Sequence, residues 1–259
     1  MKTLKNAGSF GILSKTEDII WQIANAARTC YKSFGKQSPE NDLKLVQNIV
    51  KRKHGAMLEF ADMTVKFDDI CRGFTHEIVR HRLASFAQES TRYVDESDLN
   101  VVIPPHMDEN LLLHREDIDV NYCNLSLTEM LESMELFYKT LKYEGWKNED
   151  ARQVLPIATK SPIVVKANMR EWRHVFTMRC DYFAHWEIRG VMLELLKYCK
   201  KNVPVIFDDF YFFETKSGQE YARIVKTKTQ IMDDIYHYFK SGFNMVELME
   251  SICKMMGGK

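Results

Sequence analysis

Between residues 80 and 93 the chain reads RHRLASFAQESTRY, which sets Arg80, His81, Arg82 and Arg92 beside the hydroxyls of Ser85, Ser90 and Thr91 and the carboxamide of Gln88, with no lysine among them. The planar arginine fork makes bidentate, charge-assisted hydrogen bonds to carboxylate or phosphate, each worth about 1.5–3 kcal/mol. Forked donors at this density suit one or more anions. The same arginines could also form an ion-paired face with Glu77, Glu89, Asp95 and Glu96. A second polar region shifts the balance toward a ligand. ARQVLP supplies Arg152, and KANMREWRHVFTMRCDYFAHWEIRG supplies Asn168, Arg170, Arg173, His174, Arg179 and Arg189. Segments far apart in sequence each offer arginine near the end of an element, which suits convergence on a shared anionic ligand.

Several other chemistries find little support. There is no G-x-G-x-x-G, no P-loop and only 11 glycines, so side chains rather than a glycine loop must meet any phosphate. In HEIVRH the two histidines, His76 and His81, are five apart and diverge by roughly 140° on a helix. The remaining histidines show no ligand spacing, and no metal is expected. The six cysteines are scattered without a C-x-x-C pair, as expected of reduced thiols in a cytoplasmic protein. A Cys–His nucleophile pair stays open, although no cysteine lies in an activated motif. Lysine plus arginine (36) equals aspartate plus glutamate (36), so a basic site must be local rather than a property of the whole surface. The longest apolar stretch near the N-terminus is FGIL, too short for a signal peptide, and no run approaches the ~18 residues of a membrane span.

The elements that position these residues follow from periodicity. SKTEDIIWQIANAARTCY reads as a helix opened by a Ser14–Glu17 capping box, and SPENDLKLVQNIVKRKH as a second, with Ser38 as N-cap and Pro39 at the first helical position. DMTVKFDD and PIVVKANM alternate as strands, burying Met63, Val65 and Phe67 in the first and Ile163, Val165 and Ala167 in the second. A short helix follows Cys71 and leads into Arg80, while DESDLNVVIPPHMDEN reads as strand and loop. An amphipathic helix is expected from about Leu125 to Tyr143 through Leu127, Met130, Leu131, Met134, Phe137 and Leu141, stopped by Gly145. A short helix capped by Asn148 follows, then helices near Glu171–Met178 and Tyr182–Tyr198. Composition changes near residue 215, dividing a 1–215 domain from a 216–259 helical, methionine-rich extension. Strands mixed irregularly among helices predict an α+β fold, a mixed sheet with packed helices.

At this point the residues resemble a family. THEIVRHRLASFAQESTRYV is similar to the signature of the flavin-dependent thymidylate synthases, RHR with a hydroxyl three residues on, then S-x-R-Y. AARTCY (26–31), HGAMLEF (54–60), ARQVLP (151–156), NMREW (168–172), AHWEIR (184–189) and PVIFDDF (204–210) follow in the family's order. Phe60, Met57 and His185 depart from its usual residues.

The resemblance implies a flavin-dependent thymidylate synthase-like fold and reductive methylation of dUMP to dTMP. Methylenetetrahydrofolate would be the carbon donor, NADPH the reductant, and FAD the hydride relay, held between subunits of a homotetramer. It implies flavin contacts for Arg80, His81, Arg82, Gln88, Asn168, Arg170 and His174. Glu77, Arg80, Gln88, Glu89, Ser90, Thr91, Arg92 and Arg152 would meet dUMP. Arg179 would face the uracil ring as the catalytic residue, stabilising negative charge rather than transferring a proton. No cysteine nucleophile is implied, and Ser90 has no adjacent base, which favours a binding role. The competing possibility is an arginine-rich nucleotide- or RNA-binding module without catalysis, in which Phe86, Tyr93 and Trp172 would stack on bases.

Overall fold

The structure, a computed structural model, describes residues 1–5, 8–108, 110, 126–203 and 205–225. Of the helical extension expected over residues 216–259, residues 226–259 lie outside them. In chain order the elements are β1 (Lys2–Leu4), β2 (Ser9–Lys15), α1 (Ile19–Tyr31), α2 (Pro39–Lys51), β3 (Asp62–Asp68), α3 (Arg72–Ile78), β4 (Ala84–Gln88) and β5 (Asn100–Val102). They continue with α4 (Leu127–Tyr143), α5 (Asn148–Ala151), β6 (Ile163–Asn168), α6 (Met169–Arg179), α7 (Trp186–Asn202), β7 (Phe210–Glu214) and β8 (Glu220–Ile224).

The centre is a four-stranded antiparallel sheet in the order β2-β3-β6-β4. Its two inner strands are the ones whose alternation is plainest in sequence. Met63, Val65 and Phe67 of β3 and Ile163, Val165 and Ala167 of β6 all face one buried layer. Each large side chain there contributes about 1.5–3 kcal/mol of burial. Helix α6 closes that layer, with Trp172 fully buried and its indole N–H donating to the Met63 carbonyl at 3.0 Å. The α+β class is as expected, and parallel and antiparallel pairings occur in separate sheets, the parallel one being β1 with β5.

Several local expectations are corrected. Ser14 does not cap α1. It pairs with Thr64 in the β2–β3 ladder, and Asp18 caps the helix by accepting from Trp21 N at 2.9 Å. Ser38 and Pro39 open α2 as expected. Helix α4 begins at Leu127 under a Ser126–Glu129 capping box and buries Leu131, Glu135 and Tyr138, leaving Phe137 55% exposed. The buried face is rotated because the Glu135 carboxylate accepts from Leu99 N and from the amino terminus, drawing that side inward. Lys147, not Asn148, holds the N-cap position of α5, and Asn148 instead donates to the Tyr93 carbonyl at 3.3 Å. The change in composition near residue 215 falls at the turn of a β7–β8 hairpin, whose second strand is tied back to the core by Ala222 N donating to the Cys180 carbonyl.

Two contacts fix the helices around the sheet. The Arg28 guanidinium, 5% exposed, donates to Asp42 at 2.9 and 2.6 Å and to the Ser33 carbonyl at 3.0 Å, joining α1 to α2. Gly8, at φ +104°, carries the chain past α7 where a Cβ would stand 2.6 Å from Val191. A side chain there is excluded by both backbone and space.

Candidate active site

The expected arginines fall into three groups set by the sheet. The first lies where α3 runs into β4. Helix α6 starts from Asn168, whose side chain accepts from Glu171 N at 2.9 Å, and ends at Arg179. That length brings Arg179 to His81, 98 residues earlier in the chain. Arg179 Nε donates to His81 Nε2 at 3.0 Å, while its two terminal nitrogens donate to the Glu77 carboxylate at 2.7 Å and the Glu77 carbonyl at 2.8 Å. His174 packs edge-on against His81, with ring centroids 5.3 Å apart. His81 is 4% exposed, and burial with Arg179 and His174 beside it lowers its pKa to about 4. The ring is therefore neutral at neutral pH.

The second group lies at the far end of β4. Gln88 donates its carboxamide N–H to Thr75 and Ser161 at 2.9 and 3.0 Å, and Arg72 donates to the same Ser161 hydroxyl at 3.2 Å. Arg152 donates to the Glu149 carbonyl and, at 3.4 Å, to Thr91, while Arg92 pairs with the Glu149 carboxylate at 3.0 Å. Arg152 thus links Thr91 to Glu149, which Arg92 also contacts. Ser90 turns the loop, its hydroxyl accepting from Arg92 N and its carbonyl from Tyr93 N and Val94 N. Glu89 hangs from Pro162 through its backbone.

Burial, then Glu89, pushes the Glu96 carboxyl in this group up to about 7. A folded-state carboxyl raised above its usual value costs stability once ionised, so stability should fall as pH rises through about 5 to 7. Glu96→Gln is expected to remove part of that fall, read as a higher melting temperature than the parent at about pH 8 with little difference at about pH 5.

The third group surrounds the HGAMLEF segment. Arg170 pairs with Glu59 at 2.5 Å, and its side chain crosses Gly55 so closely that a Cβ there would lie 3.1 Å from Nε. Together with Tyr31, Arg52, Lys53 and His54 it lines a cavity of about 580 Å³. Arg80 and Arg82 are exposed and make no side-chain hydrogen bond or ion pair among the described residues.

Two arginines of the second polar region prove structural. Arg173 is held by Asp209 at 2.6 Å and by the Ile206 carbonyl, and Arg189 by the Tyr182 and Ala184 carbonyls. The open question of a cysteine nucleophile is answered for Cys71, which donates its S–H to Glu187 at 2.8 Å. Burial and that carboxylate push its thiol up to about 12, far from a nucleophile at neutral pH. Sequence reasoning missed Arg72 and Ser161, which sit outside the arginine motifs, and gave no role to Glu171 inside NMREW or to Glu96 beyond ion pairing. For Arg72 the one available signal was its position at the start of a helix just after a strand. His81, Glu171 and His174 also bring potential ligand atoms within 4.8 Å of one another, a proximity no local spacing could show.

This antiparallel sheet with arginines at its strand and helix ends has counterparts among known proteins. The family described as thymidylate synthase complementing protein matches residues 12–205. The flavin-dependent thymidylate synthase of Corynebacterium efficiens is 36% identical over 204 residues, 76% of this chain and 82% of that one. That of Mycobacterium tuberculosis is 34% identical over the same shares. Among solved structures, the UMP/dUMP methylase PolB of Streptomyces cacaoi bound with 5-Br dUMP superposes with a TM-score of 0.62 at 22% identity, covering 80% of this chain and 96% of that one. Thymidylate Synthase X of Helicobacter pylori with FAD and dUMP superposes with a TM-score of 0.59 at 20% identity, covering 78% and 98%. The chain belongs to the flavin-dependent thymidylate synthase family. None of the helices among the described residues is long and apolar enough to cross a membrane.

Proposed function

We propose that this protein converts dUMP to dTMP by reductive methylation, with FAD as hydride relay, 5,10-methylenetetrahydrofolate as one-carbon donor and NADPH as reductant. The observation that carries it is the junction of Arg179, His81 and Glu77, which joins the THEIVRHR segment to the end of α6 within the residues 12–205 that match the family. The residues present fit a flavin. Arg80 and Arg82 offer unpaired guanidinium groups among the described residues, and Arg170 and its neighbours form a cationic wall. Arg80, His81, Arg82, Gln88, Asn168, Arg170 and His174 would hold it, and when bound it supplies the hydride chemistry.

The chain's own residues supply charge and orientation. Ser90, Thr91, Arg92 and Arg152 bind the dUMP phosphate, whose second ionisation near pKa ~6 leaves close to two charges to be met. Thr91 and Arg152 are already in contact, so little reorganisation is needed. Glu77, Arg80, Gln88 and Glu89 border the nucleotide. Arg179 faces the uracil and stabilises negative charge on its carbonyl and N3 through N–H donors, without giving up a proton.

The protein acts as a homotetramer with its flavin sites between subunits, and works in the cytoplasm. Leu83 and Tyr93, 71% and 79% exposed on either side of β4, support a site that a second subunit covers. The free thiols of Cys71, Cys180 and Cys199, all buried, support a reducing compartment.

The deciding experiment is an absorbance spectrum of the purified protein from about 300 to 550 nm, followed by NADPH oxidation with and without dUMP and the folate. A flavin spectrum with dUMP-dependent dTMP formation supports the proposal. A protein that takes up no FAD and forms no dTMP overturns it.

A further inference from the structure

His81 is a neutral imidazole with one proton, and its hydrogen bonds decide where that proton sits. Arg179 Nε can only donate, and it points at His81 Nε2 from 3.0 Å, so Nε2 must be the lone pair and Nδ1 must carry the hydrogen. Nδ1 lies in the interior with no hydrogen-bond partner in good geometry. The Oε1 atom of Glu171 stands 3.4 Å from it, on a side chain that is itself 4% exposed. Glu171 is in the first turn of α6, two turns before Arg179, so a single helix presents both neighbours of the ring.

We propose that Glu171 is a positioning residue for Arg179. Its carboxylate accepts a hydrogen bond from His81 Nδ1–H and so fixes the tautomer in which Nε2 accepts from Arg179. Without an acceptor beside Nδ1 the ring gains nothing from that tautomer, and the alternative one turns an N–H toward the Arg179 N–H. Two facing donors would push the guanidinium off its line and loosen its grip on Glu77. The trio of His81, Glu171 and His174 suggests a cation by proximity alone, but a protonated Nδ1 offers a donor for a carboxylate and no lone pair for a metal. Burial raises the Glu171 carboxyl above its usual value, a cost that a proton donor at His81 offsets.

The consequence for turnover rests on the function proposed above, whereas the tautomer does not. The test uses the full chain labelled with 15N-histidine and read by solid-state NMR, which is independent of assembly size, with His81 assigned by its loss in His81→Asn. The parent is expected to show the Nδ1–H tautomer at His81. Glu171→Gln keeps an acceptor oxygen, so it should keep that tautomer and stay within about threefold of parental kcat. Glu171→Leu should mix the tautomers and lower kcat about tenfold with little change in KM for dUMP. An Nε2–H tautomer in the parent overturns the proposal. Equal losses in Gln and Leu do so as well, since they would mark a mere first-turn charge on the helix dipole. A stoichiometric Co2+ ligand-field band lost in Glu171→Gln would replace it with a metal site. If the parent makes no dTMP, the proposed function fails while the tautomer still decides the role of Glu171.

Discussion

Arg179→Ala is expected to keep its flavin and lose turnover by about 10²- to 10³-fold, the range seen when one preorganised donor to a developing negative charge is removed. Three of the five guanidinium N–H groups of Arg179 are committed to His81 and Glu77, which leaves two for a substrate. The committed bonds hold the fork rigid, so the remaining donors cost no reorganisation when charge develops. The substitution strips the Glu77 carboxylate of its partner as well, and a modest loss of stability should accompany the loss of rate. Arg179→Lys separates the two effects. An ammonium restores charge near Glu77 but cannot reach three acceptors in one plane, so stability should recover more fully than kcat. The check is flavin absorbance alongside dTMP formation in the same preparations. Unchanged dTMP formation in Arg179→Ala would remove Arg179 from the chemistry, and loss of the flavin would reassign it to cofactor binding.

Asp42→Ala should have the largest effect on stability. Asp42 is 3% exposed and accepts two hydrogen bonds from Arg28, itself 5% exposed. Removing one member of a buried pair strands the other charge at a typical cost of about 3–5 kcal/mol. For a chain of this size that corresponds to a fall in melting temperature of roughly 10 °C. Arg28 belongs to the AARTCY motif, yet its guanidinium is spent on Asp42 and the Ser33 carbonyl. The pair joins α1 to α2, which border the cavity at Arg170. Thermal unfolding monitored by circular dichroism is the direct test, and a fall of less than about 3 °C would show that the pair is dispensable.

The inner strands β3 and β6 and the helices α2 and α6 could be located from sequence because each obeys one local rule. An alternating strand can bury only one face, and Ser-Pro before an apolar period can only open a helix. Strands β2, β4, β7 and β8 were missed. FGILSK, ASFAQ, FYFFE and EYARI alternate too weakly to stand alone, and they become strands by pairing with β3, β6 and each other. That pairing also overrode the capping box at Ser14, since the ladder to Thr64 claimed the residue first. In α4, residues far from the helix chose which face turned inward.

For the site, residue types and their order were enough to expect anions to be met by arginine side chains and to place the chain in its family. Fork chemistry resides in the side chain itself, and motif order survives without coordinates. Only the tertiary structure decided which arginines remained available. Arg173, Arg189 and Arg28 look no different in sequence from Arg179, but packing sets each of the first three against acceptors of the framework. The fold likewise brought Glu171 to His81 across 90 residues of chain. A hydrogen bond depends on two positions and a direction, and a sequence fixes neither until the chain is closed upon itself.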